Sequence, residues 1–280
     1  MLTPIRQCQN FTMHLSQINT YPIKSTHPIT VNNSYLLPTG LPFDRHWMLV
    51  DEDNTMLTAR KHPKLLHITT QIAGSNLLVQ LPQQDFLIPL KPLPQSEILV
   101  HHWGDTPLAA WPQNQALDKA LTQYLGLSCS LVYSASLGAN LGVEAALPQA
   151  ASFADAQPVL LTTTASLAAL NERLDEAVDG TIAMQRFRSN LVVSNLTADV
   201  EDGWQRIRIG ACELLVSYPC TRCILTIIDP VTLQAHAHRE PLRTLAKYRR
   251  LEEGGVGFGI NLQVVKGGPI AINDRVEILA

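Results

Sequence analysis

The chain lacks several features that would assign it to a class at once. Charged residues make up only 16% of 280 positions, and the formal net charge is −3 with both signs interspersed. A dedicated nucleic-acid binder needs a basic surplus, so that class is excluded and any basic site must be local. No stretch approaches the ~18 uninterrupted apolar residues of a membrane-spanning helix, and the opening residues lack the apolar run of an export signal. These absences predict a cytoplasmic chain with no membrane partner. Cysteines number five, sparse and odd, which reads as thiols in a reducing compartment rather than a disulfide framework.

What is present is a globular composition, 46% hydrophobic, whose apolar residues mostly alternate. Strands are expected over Phe11–Leu15, then over His46–Val50 and Met56–Arg60 flanking the polar turn 51–55. Leu65–Ala73 and Leu77–Leu81 form a second hairpin pattern around Gly74-Ser75-Asn76, and prolines at 82, 89, 92 and 94 confine their segments to edges or loops. Helices are predicted from Asn114 to Leu125 with Gly126 as the stop, after Thr164 with Leu167, Leu170 and Leu174, and over Pro241–Arg249. Strands return at Asn190–Ser194, Ile207–Tyr218, Ile224–Ile228, Ile260–Val265 and Val276–Leu279. The fold class is therefore mainly β (α+β), without βαβ alternation. A boundary near the first helix divides the chain into 1–125 and 126–280.

Cys220-Thr221-Arg222-Cys223 is the only C-x-x-C. A thioredoxin-type pair would want a helix after it to lower a thiol pKa, and the β-branched Ile224–Ile228 run argues against one. Zinc is a second reading: Cys220, Cys223, His236 and His238 give C-x2-C-x12-H-x-H, although zinc fingers place three to five residues between the histidines. Two thiols packed at a strand turn is the plain reading. A fourth comes from the basic residues Lys24, Arg45, Arg60, Arg186 and Arg188, each beside an expected strand end. Separately these are solvated rim residues; together they would cradle a phosphate, which the guanidinium fork matches, while one soft thiolate holds a metal. Spacing alone does not prove that they converge.

Several segments, taken in order, resemble the MOSC superfamily, in particular the two-domain branch containing the mitochondrial amidoxime reducing component and its bacterial relatives. They are Tyr21-Pro22-Ile23-Lys24-Ser25, Gly40-Leu41 through Asp44-Arg45-His46-Trp47, Thr58-Ala59-Arg60, Phe153-Ala154-Asp155 with Pro158–Leu161, Arg186-Phe187-Arg188-Ser189-Asn190, and Pro219-Cys220 through Arg222-Cys223-Ile224-Leu225-Thr226. The resemblance implies two β-barrel-like domains, a MOSC N-terminal β-barrel over 1–125 and a MOSC domain over 126–280, with a molybdopterin-type cofactor between them. It implies Cys223 as the metal ligand and catalytic cysteine, and Lys24, Ser25, Arg45, Arg188, Asn190, Thr221 and Arg222 as contacts to the pterin or its phosphate. Two turns depart from the family pattern. Thr26-His27-Pro28 stands where relatives often have a cysteine and a glycine, and Val231-Thr232-Leu233 replaces a glycine-bearing turn. His236 and His238, in the second of these regions, are either solvated or proton donors at a substrate entrance.

The implied activity is molybdenum-cofactor-dependent reduction of N-hydroxylated compounds such as hydroxylamines, amidoximes and N-hydroxylated bases. The alternative is a molybdenum-cofactor or sulfur carrier with no turnover of its own. Neither a ferredoxin-like C-x4-C-x2-C run nor a G-x-G-x-x-G dinucleotide fingerprint occurs. Electrons are accordingly expected from a separate flavodoxin- or ferredoxin-type protein with its reductase.

Overall fold

Alternating segments do become strands, and they account for most of the regular structure in the computed structural model, which describes residues 12–103, 106–138 and 152–280. The first half contains β1 (His14–Thr20), β2 (Ile29–Val31), β3 (Asn33–Leu36), β4 (Trp47–Val50), β5 (Thr69–Ala73), β6 (Asn76–Gln80) and β7 (Asp85–Pro89). β8 (Ile98–Val100) and β9 (Leu108–Pro112) precede helix α1 (Gln115–Leu125), which is followed by β10 (Ser130–Ser134) and α2 (Ala135–Gly138). The second half runs β11 (Val159–Thr163), α3 (Thr164–Asn171), α4 (Glu176–Asp179), β12 (Leu191–Ser194), β13 (Arg206–Ile209) and β14 (Cys212–Thr221). It closes with α5 (Leu242–Tyr248), β15 (Gly257–Lys266), β16 (Gly268–Ala271) and β17 (Val276–Ile278).

The local signals act as their chemistry requires. The Asn114 side chain accepts hydrogen bonds from the Ala116 and Leu117 amides, Gly126 ends α1 at φ 80°, and Leu117, Leu121 and Leu125 form its buried stripe. Gly74 takes φ 61° in the two-residue turn that pairs Ala73 with Asn76. Pro89 ends β7 on the edge of its three-stranded sheet, where no ladder bond is lost.

Some expected elements change. The first strand starts at His14, and the expected Phe11 lies outside the described residues. Met56 only bridges Val50, because the Thr58 carbonyl accepts the Lys61 and His62 amides and turns the chain away from a hairpin. Pro63–His67 coils into a 3-10 turn before β5. Ile207–Tyr218 divides into β13 and β14 at Gly210, which has φ 56°. α3 stops at Asn171, leaving Leu174 beyond it, packed against the cluster of Phe187 and Phe258. Most relevant here, Ile224–Ile227 is a 3-10 turn and not a strand: the Cys223 carbonyl accepts both the amide and the hydroxyl of Thr226.

The largest sheet has eight strands in the order β17-β13-β14-β15-β11-β12-β1-β2, so the chain's first strands complete a sheet otherwise built from its second half. β3 pairs with β16, adding a further link across the expected boundary. A four-stranded sheet, β4-β10-β9-β8, and the β5-β6-β7 meander stand beside it, and each of these sheets has two free ends rather than a closed ring.

The apolar clusters include two large ones. One joins Trp47, Trp111, Tyr133 and the α1 leucines, and Ile228, Leu225, Ile227 and Leu233 from the segment after Cys223 pack on it. The other joins Leu15, Ile18, Leu161, Leu191, Ile207 and Ile260. Each buried Leu or Ile contributes about 1.5–3 kcal/mol. Because each core borrows residues from the other half of the sequence, the seam between them is held from both sides.

Candidate functional site

A cavity of about 290 Å³ opens on that seam. Its wall contains Lys24, Ser25, Arg45, Arg188, Asn190, Thr221, Arg222 and Cys223, the eight residues that the family resemblance implies, together with Arg60 and Asp155, whereas Arg186 of the expected cationic set is outside it, paired with Asp229 at 2.8 Å. The eight arrive from four places: the turn after β1, the loop before β4, the loop before β12, and the end of β14.

The backbone is bent at three of these four delivery points. Ser25, Arg45 and Arg188 have φ of 69°, 55° and 56°, a left-handed conformation that non-glycine residues adopt at a cost and mostly at functional positions. The Thr26-His27 turn keeps this geometry without a glycine. The Thr26 hydroxyl donates to the Ile23 carbonyl, the His27 amide to Ile68, and Arg188 Nη1 donates to the Thr26 carbonyl at 2.8 Å. In the other altered turn Leu233 takes φ 61° in the place of a glycine, compensated by packing on the first core.

Beneath the cations lies a carboxylate hub. Buried Asp44 accepts from the Tyr21 amide at 2.8 Å, from Asn190 Nδ2 at 3.1 Å and from the Arg45 guanidinium. Asn190 Oδ1 accepts from Arg45 Nη1 and the Leu160 amide, and its Nδ2 also donates to the Asn19 carbonyl, so protein groups fill all four positions of the side-chain amide. Asn190 thus orients Arg45. The guanidiniums of Arg45 and Arg188 each lie 4.3 Å from the centre of the buried Tyr21 ring, which fixes both by cation–π contact. After the end of β14, Arg222 donates to Cys220 Sγ at 3.0 Å and to the Phe187 carbonyl at 2.6 Å. Cys223 is a free, exposed thiol.

The charge is undercompensated. Five cationic side chains, Lys24, Arg45, Arg60, Arg188 and Arg222, line a cavity in which Asp155 is the one acidic residue of the described wall. Burial brings the Lys24 pKa down to about 8, partly offset by its ion pair with Asp155, and burial brings Arg188 down to about 10. For Asp155, burial works towards protonation, but the Lys24 charge and hydrogen bonds from Lys24 and Trp103 prevail and hold it below the usual carboxylate range. Arg188 Nη2 and Arg222 Nε are buried without a hydrogen-bond partner, which is costly unless something else accepts from them.

Comparison with known proteins agrees with this architecture. Residues 12–128 match the MOSC N-terminal beta barrel domain and residues 148–277 the MOSC domain. The chain is 32% identical to mitochondrial amidoxime reducing component 2 of Rattus norvegicus over 94% of its own length and 82% of that protein. It is also 32% identical to mitochondrial amidoxime-reducing component 1 of Danio rerio, covering 84% of this chain and 74% of that one.

The chain belongs to the MOSC family.

Among solved structures the YUAD protein from Bacillus subtilis aligns over 95% of this chain and 94% of that chain, at 11% identity and a TM-score of 0.42. Within the MOSC fold, the donor set suits one kind of group: the unpartnered guanidinium nitrogens call for an acceptor, which an anion would supply, and the exposed thiol offers a soft ligand to a metal.

The competing zinc reading does not survive. His236 and His238 gather on Asp179 while Cys220 and Cys223 line the cavity, so the four do not form one site. His238 Nδ1 bonds Asp179 Oδ1 at 2.8 Å. His236 Nδ1 accepts the His238 amide, which directs its Nε2–H to the Asp179 carbonyl and leaves that ring no lone pair for a metal. The single 3-10 turn after Cys223 is likewise no thioredoxin-type helix.

Sequence reasoning did not assign Tyr21 or Asp155, although both lie inside motifs that it singled out. Trp103, which donates Nε1–H to Asp155 at 2.6 Å, carried no signal.

Proposed function

We propose that this chain is a molybdenum-pterin-dependent reductase of N-hydroxylated compounds, supplied with electrons by a separate carrier protein. The observation that carries this reading is an exposed thiol, Cys223, on a cavity whose buried guanidiniums retain donors with no protein acceptor. Relatives named amidoxime reducing components, similar over most of the chain, support the substrate class.

In this reading Cys223 Sγ ligates the metal, and Arg188, Arg45, Lys24 and Arg222 hold the cofactor's phosphate, with Ser25 and Thr221 as shorter polar contacts. When bound, the group supplies two-electron chemistry: the N–O bond of R–NHOH breaks, and two electrons and two protons give R–NH₂ and water. The protein's part is to bind and orient. Lys24 Nζ donates to Asp155 Oδ1, which fixes the ammonium among the cations of the cavity wall, and a bound phosphate would hold that amine in its charged form. The 3-10 turn after Cys223 anchors Leu225 and Ile227 in the first core, so the ligand-bearing residue has a fixed base even though its thiol is open.

The deciding experiment combines elemental and kinetic analysis. Protein from a molybdenum-replete host should contain molybdenum rather than zinc, release the fluorescence of oxidised pterin, and reduce benzamidoxime with reduced viologen as donor. NADH or NADPH alone should drive no turnover. Molybdenum-loaded protein that is inactive with every donor yet passes its cofactor to an apo-acceptor would establish the carrier instead.

A further inference from the structure

The chain has four tryptophans. Trp47, Trp111 and Trp204 are 0%, 3% and 5% exposed, whereas Trp103 is 43% exposed. A large indole left in water calls for a reason when the other three are buried. Trp103 follows β8 and is held in place twice. Its Nε1–H donates to Asp155 Oδ1 at 2.6 Å, and the Arg60 guanidinium lies 4.2 Å from its ring centre. Both partners belong to the wall of the Cys223 cavity, and the Lys24 ammonium, also in that wall, is 5.8 Å from the ring.

A side chain fixed at its edge and on one face, yet exposed, is a preorganised surface. Its ordering cost is met by folding rather than on binding. Asp155 Oδ1 takes the bonds from Lys24 and Trp103, and among the described residues no hydrogen bond reaches its Oδ2. Against two residues of the cavity wall there is therefore an exposed aromatic face beside an ionised carboxylate oxygen. That pairing suits a flat, conjugated group carrying N–H or O–H donors, and has little to offer a compact aliphatic hydroxylamine.

We infer that Trp103 is a specificity-determining residue, a stacking platform that selects planar N-hydroxylated substrates such as amidoximes and N-hydroxylated heteroaromatic bases. The inference rests on the proposed reductase reading for its substrate class but has a separate physical readout. Acrylamide should quench one accessible component of the tryptophan emission, and Trp103→Phe should remove that component. Benzamidoxime should protect it saturably in the wild-type protein, and N-methylhydroxylamine should not.

In steady-state assays, Trp103→Ala should lower the ratio of kcat/KM for benzamidoxime to that for N-methylhydroxylamine by roughly five- to tenfold, the scale of one lost aromatic contact. The change should lie mainly in KM, and Trp103→Phe should restore most of the ratio because it keeps the ring face and loses only the Nε1–H. An unchanged ratio in Trp103→Ala, or no protection by benzamidoxime, would overturn the inference and leave Trp103 as a brace for Asp155. Protection without turnover of any N-hydroxylated compound would leave the platform standing and defeat the reductase reading.

Discussion

The two walls of the cavity are built differently. The basic wall is closed and braced: Lys24, Ser25 and Asp44 are buried, Arg45 and Arg188 flank the Tyr21 ring, and Asn190 has no free hydrogen-bonding position. The thiol wall is open: Thr221 and Cys223 are exposed at the end of β14, and only the residues beyond them are anchored in a core. An anion cradle works by pre-aimed charges, and like charges stay close only if the fold holds them there. A metal ligand needs the reverse, an accessible sulfur with little competing hydrogen bonding. Substitutions at the first wall should therefore act on folding as well as on binding, and those at the second on chemistry alone.

The largest effect is expected at the open wall. Cys223→Ser should abolish molybdenum retention and reductase activity while leaving the denaturation midpoint nearly unchanged, because a hard hydroxyl replaces a soft ligand on an exposed residue. Cys220→Ser should retain much of both, and equal losses from the two would remove the single-ligand assignment. The braced wall should answer in stability. Asp44→Ala leaves Arg45 and Asn190 without their shared acceptor, and breaking a buried pair costs about 3–5 kcal/mol, readable as a shift in urea midpoint at constant slope.

Between these extremes, Arg188→Ala should reduce cofactor occupancy by roughly ten- to a hundredfold, the scale of a charged hydrogen bond to an anion, measured as molybdenum per chain. Tyr21→Leu should keep an apolar side chain at this buried position yet release two guanidiniums. The loss in occupancy should be roughly two- to thirtyfold, since a cation–π contact contributes about 0.5–2 kcal/mol. Unchanged occupancy in both would mean that the bracing is irrelevant to binding.

The smallest effect is a pH dependence. Lys24 is protonated below about 8 and neutral above it, so cofactor-free protein should bind sulfate, whose charge is constant over this range, more weakly as pH rises through 8. Anion binding favours the charged amine, so protons should be taken up on binding near that pH. Lys24→Met should flatten the dependence, and an unaltered slope in that variant would assign the titration elsewhere.

Much of this division was legible in the residue order. The Asn114 cap, the Gly126 stop and the Gly74 turn each depend on neighbours only a few positions away, and each appears where that chemistry puts it. The predicted wall residues also come together, since the segments carrying them resemble a known family in the same order along the chain. The short apolar runs were less tractable. Ile224–Ile228 and Met56–Arg60 have strand-like composition, but over five residues such composition does not distinguish a strand from a buried turn. Here the Cys223 and Thr58 carbonyls each capture two donors from the following residues and close the turn. Asp155 and Tyr21 sat in recognised motifs without a role because their significance lies in contacts more than 100 residues away, to Lys24 and Arg188.

The sequence by itself determined the mainly β class, the caps and tight turns, the absence of a basic surplus and the presence of a lone C-x-x-C beside dispersed cations. Those properties follow from side-chain chemistry acting over a few residues. Only the tertiary structure decided that β1 and β2 complete the sheet of the second half, that two arginines share the faces of one buried tyrosine, and that the histidines join Asp179 rather than the cysteines. It also decided that one tryptophan of four stands exposed, bonded to Asp155 of the cavity wall. Such outcomes depend on which distant surfaces exclude water together, and burial of apolar faces has no direction along the chain from which it could be read.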